Sequence, residues 1–369
     1  MNSKLKIGIV GLGLIGGSLA KTIKRKYPDS FICACDTNEN SLLSAQKEGV
    51  IDIYTEKLNG NYSDCDYIFL CAPVPVNCKT LELVKDILPE NSTCIVSDTG
   101  SMKKDIHIKA KELGLSNCFI GGHPMAGLEV DGYENSNAFL FENVYFITTP
   151  EENVSEGKKE TFTNFISSLD MIPISLGSRE HDFATACVSH VPHIISAALV
   201  NLVKNDDDDK EVLKSIAAGG FKDITRISSS DPNMWTAISK GNKDEVVPLL
   251  DEYINSLNYI KEQIEKDNTS EVKSFFSSAC EYRSGISNHT GGIIEKDYRI
   301  HCDLADEPGE IATIATRLAV NSISIKNIGI VHNREYDRGA LEIEFYDAKS
   351  LESATELMHK FDYKVYELE

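Results

Sequence analysis

The chain has 369 residues, 41% hydrophobic and 25% charged, which is enough for two or three domains with cores of their own. A formal net charge of -20 excludes general binding to nucleic acid or to an anionic membrane surface, because phosphate would be repelled. Ten cysteines stand mostly in apolar runs with no Cys-x-x-Cys pair, so reduced thiols in a cytoplasmic protein are expected rather than a disulfide framework.

In chain order, Lys6 to Val10 reads as a short buried strand that runs into Gly11-Leu-Gly13-Leu14-Ile15-Gly16 and then into helix-like residues from Ser18. Lys4, Lys6 and the apolar residues up to Ala20 mimic a secretory signal, but four glycines interrupt the run. No other segment has the length and purity of a membrane span, so a soluble chain is expected. A second strand, residues 31–35, ends in Asp36, 20 residues after Gly16. Strand, glycine turn, helix, strand and acid together form the dinucleotide fingerprint in its required context. The glycines permit the tight turn, the approach of pyrophosphate to the backbone and close helix packing, and the helix N-terminus offers amide donors. Residues 36–40 carry no Arg or Lys to pair with a 2′-phosphate, which favours NAD over NADP.

Helices at 41–49 and 76–88 alternate with strands at 67–71, 93–97 and 143–148, the rhythm of a doubly wound, mostly parallel sheet. The strand at 67–71 ends in Ala72-Pro73-Val74, further candidate cofactor contacts with Gly11, Gly13, Leu14, Ile15, Gly16 and Asp36. Ser101 is expected to cap the following helix. Phe119 and Ile120 read as the end of a strand, after which Gly121 and Gly122 are expected to turn the backbone sharply and present His123. A histidine at the carboxyl end of such a strand sits where these sheets bind ligands and exchanges protons near neutrality.

From about residue 179 the pattern becomes all-helical. Ser189 and His193 share a helix face, and Pro192 marks either a kink or a first turn. His190-x-x-His193 has metal-ligand spacing, but no further cluster completes a site, so no metal is expected. Asp223 and Arg226 are one turn apart, and Ser230-Asp-Pro-Asn-Met-Trp235 reads as a cap followed by proline and the only tryptophan. Residues 284–292 read as a linker. The remainder follows a βαββαβ order, with Asp306-Glu-Pro308-Gly309 at its first strand-to-helix turn. Three domains are expected: a Rossmann-like unit at 1–176, an all-α unit at 177–290 and a small βαββαβ unit at 297–369.

With these residues in hand, 5–290 resembles the prephenate dehydrogenase family. The likeness rests on Gly-Leu-Gly-Leu-Ile-Gly-Gly-Ser, Asp98-x-Gly-Ser-x-Lys103, Gly-Gly-His-Pro-Met-Ala-Gly127, Ser-His-Val-Pro-His193, Gly-Phe-Lys-Asp-Ile-Thr-Arg226 and Asp-Pro-Asn-Met-Trp235, in that order. Leu128 departs from the hydroxyl residue that some relatives carry there. The resemblance implies NAD-dependent oxidative decarboxylation of prephenate to 4-hydroxyphenylpyruvate in tyrosine biosynthesis. It implies His123 as proton acceptor, Ser101 orienting the substrate hydroxyl, and Arg226 anchoring a carboxylate. Ser189, His193, Asp223, Trp235 and Glu129 would be substrate contacts, and the helical domain would form a homodimer. The tail resembles an ACT domain, with Asp306, Pro308 and Gly309 as candidate contacts for the effector L-tyrosine. Two rivals remain: an arogenate dehydrogenase, and a non-catalytic amino-acid sensor with NAD as a structural ligand.

Overall fold

The computed structural model describes residues 4–128, 130–285, 298–303, 308–331 and 340–367. Two compact units divide the chain, residues 1–292 and 293–369. The first opens with β1 (Lys6–Val10), α1 (Leu14–Lys26), β2 (Phe31–Cys35), α2 (Glu39–Lys47), β3 (Ile53–Thr55), β4 (Tyr67–Leu70), α3 (Val74–Ile87), β5 (Ile95–Asp98) and α4 (Lys104–Glu112). Its strands pair in parallel in the order β3-β2-β1-β4-β5. Successive side chains point to opposite faces: Ile7, Ile9, Tyr67 and Phe69 enter one core, and Val10, Ile68, Leu70 and Val96 the other. Helices therefore cover both faces.

The sheet continues through β6 (Ile120–Pro124), β7 (Tyr145–Pro150), α5 (Glu156–Ser168) and β8 (Ile172–Ser175), linked to β5 by the parallel bridge Val96–Phe119. β7 runs antiparallel to β6 and parallel to β8. On α5, Phe165 stacks on Tyr67 at 4.2 Å between ring centres, tying this extension to the first core.

The helical part begins with α6 (Ser178–Thr185), passes through one π turn at Ala186–His190, and continues as α7 (Val191–Asp206). Pro192 lies just beyond the wide turn, which accommodates a residue without an N–H to donate. Then follow α8 (Val212–Ile216), α9 (Gly219–Thr225), a 3-10 turn at Arg226–Ser229, α10 (Pro232–Gly241), α11 (Lys243–Glu265) and α12 (Thr269–Ser284). As expected, Asp231 caps α10, accepting from the N–H groups of Asn233 and Met234, with Pro232 in the first turn. Ser178–Asp206 is long and apolar enough to span a bilayer by length and composition, yet it buries His181, Asp182 and His190 inside this unit. Large apolar side chains stay exposed on these helices, among them Val188, Ile216, Ile224, Phe276 and Tyr282.

The second unit comprises β9 (Arg299–Asp303), α13 (Glu310–Val320), β10 (Ile325–Val331), β11 (Ala340–Phe345), α14 (Ala348–Lys360) and β12 (Val365–Glu367). The antiparallel sheet runs β10-β11-β9-β12, and Ile300, Cys302, Leu341 and Ile343 pack on Ile314, Leu318, Ala354 and Met358 of the helices. The βαββαβ reading of this segment matches element by element. The linker expected at 284–292 lies mostly outside the described residues.

Candidate active site

The carboxyl ends of β1, β4, β5 and β6 lie side by side and carry the candidate residues. At β1, Gly11 has φ +91°, and a Cβ there would stand 2.8 Å from the Ala72 nitrogen. A Cβ on Gly16 would lie 1.9 Å from the Gly11 oxygen, so the turn closes only with glycine at both positions. Gly13 faces open space, with nothing within 4 Å of a Cβ. The two crowded glycines shape a cradle and the third leaves it accessible, which fits a pyrophosphate at the α1 N-terminus. Leu14 is buried beneath it and Ile15 half-buried. Asp36 Oδ2 accepts from the Leu12 N–H at 2.5 Å and Oδ1 from the Asn38 N–H at 2.7 Å, which leaves lone pairs on a carboxylate that has about four acceptor sites. At β4, buried Asn77 donates to the Leu70 carbonyl at 3.0 Å and accepts from the Ala72 N–H at 3.2 Å, fixing the Ala72-Pro73-Val74 turn. Asp36→Ala is expected to narrow the preference for NAD over NADP by roughly tenfold, mainly through KM, since a hydrogen bond to a charged acceptor is lost. Unchanged selectivity, or a wild type that already favours NADP, would sink this assignment.

At β5 and β6 a fully buried ion pair organises the backbone. Lys103 Nζ lies 2.5 Å from Asp98 Oδ2 and donates to the Gly122 carbonyl at 2.7 Å. Asp98 in turn accepts from the Gly100 N–H at 2.9 Å and from the Gly122 N–H at 3.2 Å. The two charges thus hold both polar groups of the residue before His123, and shape the turn that carries half-buried Ser101. Two expectations need correction here. Gly121 and Gly122 make no sharp turn, for both lie within β6, and crowding excludes a side chain at each. A Cβ on Gly121 would be 2.3 Å from Thr149 Oγ1, and one on Gly122 2.6 Å from the Asp98 carbonyl oxygen. Nor does Ser101 cap α4, because Asp182 of α6 reaches across and accepts from the Lys103 N–H at 2.7 Å and the Lys104 N–H at 2.9 Å. A carboxylate at a helix N-terminus also meets the positive end of the helix dipole.

His123, half-buried at the end of β6, places Nδ1 2.8 Å from Nε2 of His181, and His181 Nδ1 lies 2.8 Å from Asp182 Oδ1. Burial, reinforced by nearby His181, Lys103 and His190, pushes His123 well below the ordinary histidine value. Burial also lowers His181, against the upward pull of Asp182. Both environments therefore favour the neutral ring over the imidazolium. His181 and Asp182 are the site residues that sequence motifs miss. The buried positions of α6 are His181, Asp182 and Thr185, all three polar, so no apolar stripe marks the face that turns inward.

On the helical side, His193 stacks face to face on Trp235 with ring centres 3.6 Å apart, and its Nδ1 donates to the Ser189 carbonyl at 2.9 Å. Buried His190 accepts from Asn242 Nδ2 at 3.0 Å and is pushed down to about 4, chiefly by burial. Ser189, His193 and Trp235 therefore form one wall, while Asp223 and Arg226 stand on adjacent turns of α9 and the 3-10 turn, Asp223 exposed. Glu129 and Asp306 lie outside the described residues. In the second unit, exposed Pro308 precedes Gly309, which begins α13 at φ +95°. A hollow lined by Ala315, Ala319, Ile323, Ile325 and Tyr346 lies toward the opposite end of that helix.

Family models match two parts of the chain: residues 19–170 as "Prephenate dehydrogenase, nucleotide-binding domain" and 177–278 as "Prephenate dehydrogenase, dimerization domain". The prephenate dehydrogenase of Bacillus subtilis is 33% identical over 360 residues, covering 96% of both chains. That of Lactococcus lactis is 35% identical over 362 residues, 96% of this chain and 98% of its own. The solved prephenate dehydrogenase of Aquifex aeolicus, in complex with hydroxyphenyl propionate and NAD+, superposes with a TM-score of 0.71 at 30% identity, covering 77% of this chain and 99% of that one. Domain matches, identity along nearly the whole length and a cofactor cradle that fits converge, and the chain belongs to the prephenate dehydrogenase family of NAD-dependent oxidoreductases.

Proposed function

We propose that the chain catalyses the oxidative decarboxylation of prephenate to 4-hydroxyphenylpyruvate as a homodimer, with His123 as general base. The observation that carries this reading is an imidazole fixed through one ring nitrogen at the carboxyl end of β6, in the same row of strand ends as the glycine cradle, where burial disfavours its charged form. NAD, held by Gly11 to Gly16, Asp36 and the Ala72-Pro73-Val74 turn, supplies the hydride acceptor. The C4 hydroxyl gives its proton to His123 Nε2, and Ser101 orients that hydroxyl. Arg226 pairs with a substrate carboxylate through its planar fork, Asp223 and Glu129 are further candidate substrate contacts, and Ser189, His193 and Trp235 enclose the ring. Loss of CO2 with aromatisation drives the reaction. The exposed apolar helices of the dimerisation-type domain are the surface on which two copies would meet. NADH formation in a purified sample, compared between prephenate and arogenate by kcat/KM, tests the reading. A preference for arogenate, or no turnover of either, overturns it.

Residues from about 298 onward act, in this proposal, as an ACT-type sensor of L-tyrosine. Its support is the βαββαβ order with Gly309 at the first strand-to-helix turn, where a backbone free of Cβ and a helix N-terminus suit a carboxylate; Asp306 and Pro308, close by in sequence, are the further candidate contacts. Because the unit is compact by itself, a chain ending at Gly285 is expected to keep dehydrogenase activity while tyrosine inhibition weakens at least about tenfold. Inhibition as strong as in the full chain would place tyrosine at the active site instead.

A further inference from the structure

We propose that His181 is a positioning residue that selects the catalytic tautomer of His123, its own proton being placed by Asp182. The inference rests on the reading of His123 as base, and its argument is a count of protons along one line of contacts. Asp182 Oδ1 already accepts the Lys103 N–H, and its other oxygen accepts the Lys104 N–H. A carboxylate oxygen has only acceptor capacity, so the 2.8 Å contact to His181 Nδ1 requires the proton on that nitrogen. A neutral imidazole carries one N–H, which leaves His181 Nε2 bare. The second 2.8 Å contact, between His181 Nε2 and His123 Nδ1, then requires His123 to donate from Nδ1. His123 Nε2 keeps its lone pair, the nitrogen a general base must use.

His181 is fully buried and Asp182 nearly so, which shields their contact from solvent. The opposite tautomer would put two bare nitrogens or two N–H groups face to face, an arrangement a buried pair does not tolerate. Asp182 is itself held from outside the helix by the first N–H groups of α4, and Asn242 Nδ2 donates to its backbone carbonyl at 2.7 Å. During the reaction the Nδ1 proton of His123 stays where it is. Only the substrate hydroxyl proton moves, to Nε2, and the cation that forms faces Asp182 through the His181 ring.

The full chain labelled with 15N-histidine, which has nine histidines, gives the direct test. Long-range proton–nitrogen correlation at neutral pH should show His123 protonated on Nδ1 and bare on Nε2. In His181→Leu the Nδ1 acceptor is gone. The His123 tautomer should then mix or reverse, and kcat should fall about a hundredfold or more, with substrate KM and the Kd for NAD within about threefold. His181→Gln, whose carbonyl oxygen can stand where Nε2 was, should keep the Nδ1-protonated tautomer and hold kcat within about tenfold of wild type. An Nε2-protonated His123 in the wild type, or equal losses in the Gln and Leu variants, overturns the proposal. If the His181→Leu variant fails to fold, the wild-type spectrum and the Gln variant still decide it. A near-normal kcat in His123→Asn would instead remove the base while leaving the tautomer result standing, so the two failures are distinguishable.

Discussion

Lys103→Met is expected to lower stability by about 3–5 kcal/mol, the cost of leaving a buried charge without its partner. The Nζ–Asp98 contact is 2.5 Å with both side chains fully buried, so solvent cannot take over when the ammonium is removed. Asp98 would keep its two N–H donors from Gly100 and Gly122, while the Gly122 carbonyl would lose the ammonium that donates to it. The comparison that isolates charge is Asp98→Asn/Lys103→Met, in which nothing charged is stranded. It should be clearly more stable than Lys103→Met alone. Urea melts followed by near-UV signal check both variants. A single variant within about 1 kcal/mol of wild type would mean that water or local rearrangement rescues Asp98.

His123→Asn is expected to lower kcat by about a hundredfold or more while substrate KM and NAD affinity change little, because an amide keeps a similar shape but cannot take a proton at neutral pH. Steady-state kinetics with a fluorescence titration of NAD separate these terms. The pH dependence follows from the same environment. Burial, His181, Lys103 and His190 all disfavour the imidazolium and depress its pKa. The protonated form cannot accept a proton, so kcat/KM falls as pH drops through that depressed value and is flat across neutrality. An acid limb at or above the ordinary histidine value would assign the titration to another group.

The parts of this site that depend on one stretch of backbone were readable from sequence: the glycine cradle, Asp36, His123 at the end of a strand, and the Asp231–Pro232 start of α10. Their chemistry is written within a few consecutive residues. What escaped was produced by tertiary contact. Ser101 has the right residue type and place for a cap, but the carboxylate of Asp182, far along the chain, occupies those amides. Gly121 and Gly122 look like turn residues, yet their smallness answers Thr149, Phe146 and Asp98 on neighbouring elements. His181 carries no motif at all. Its role exists only because α6 packs its first turn against both α4 and the end of β6.

The π turn at Ala186–His190 holds one residue more than an ordinary helical turn would. Upstream of it His181 and Asp182 address His123, and downstream His190 and His193 meet Trp235. Five residues in one wide turn cover nearly the rotation and rise of four in an ordinary one, so the helices on either side stay almost in the phase of a continuous helix. Loss of one residue inside the turn would let it close to the ordinary pitch while both histidine sets keep their bearing on the cleft. The wide turn is thus a place where the chain can change length by one residue without turning the rest of the helix away from the site.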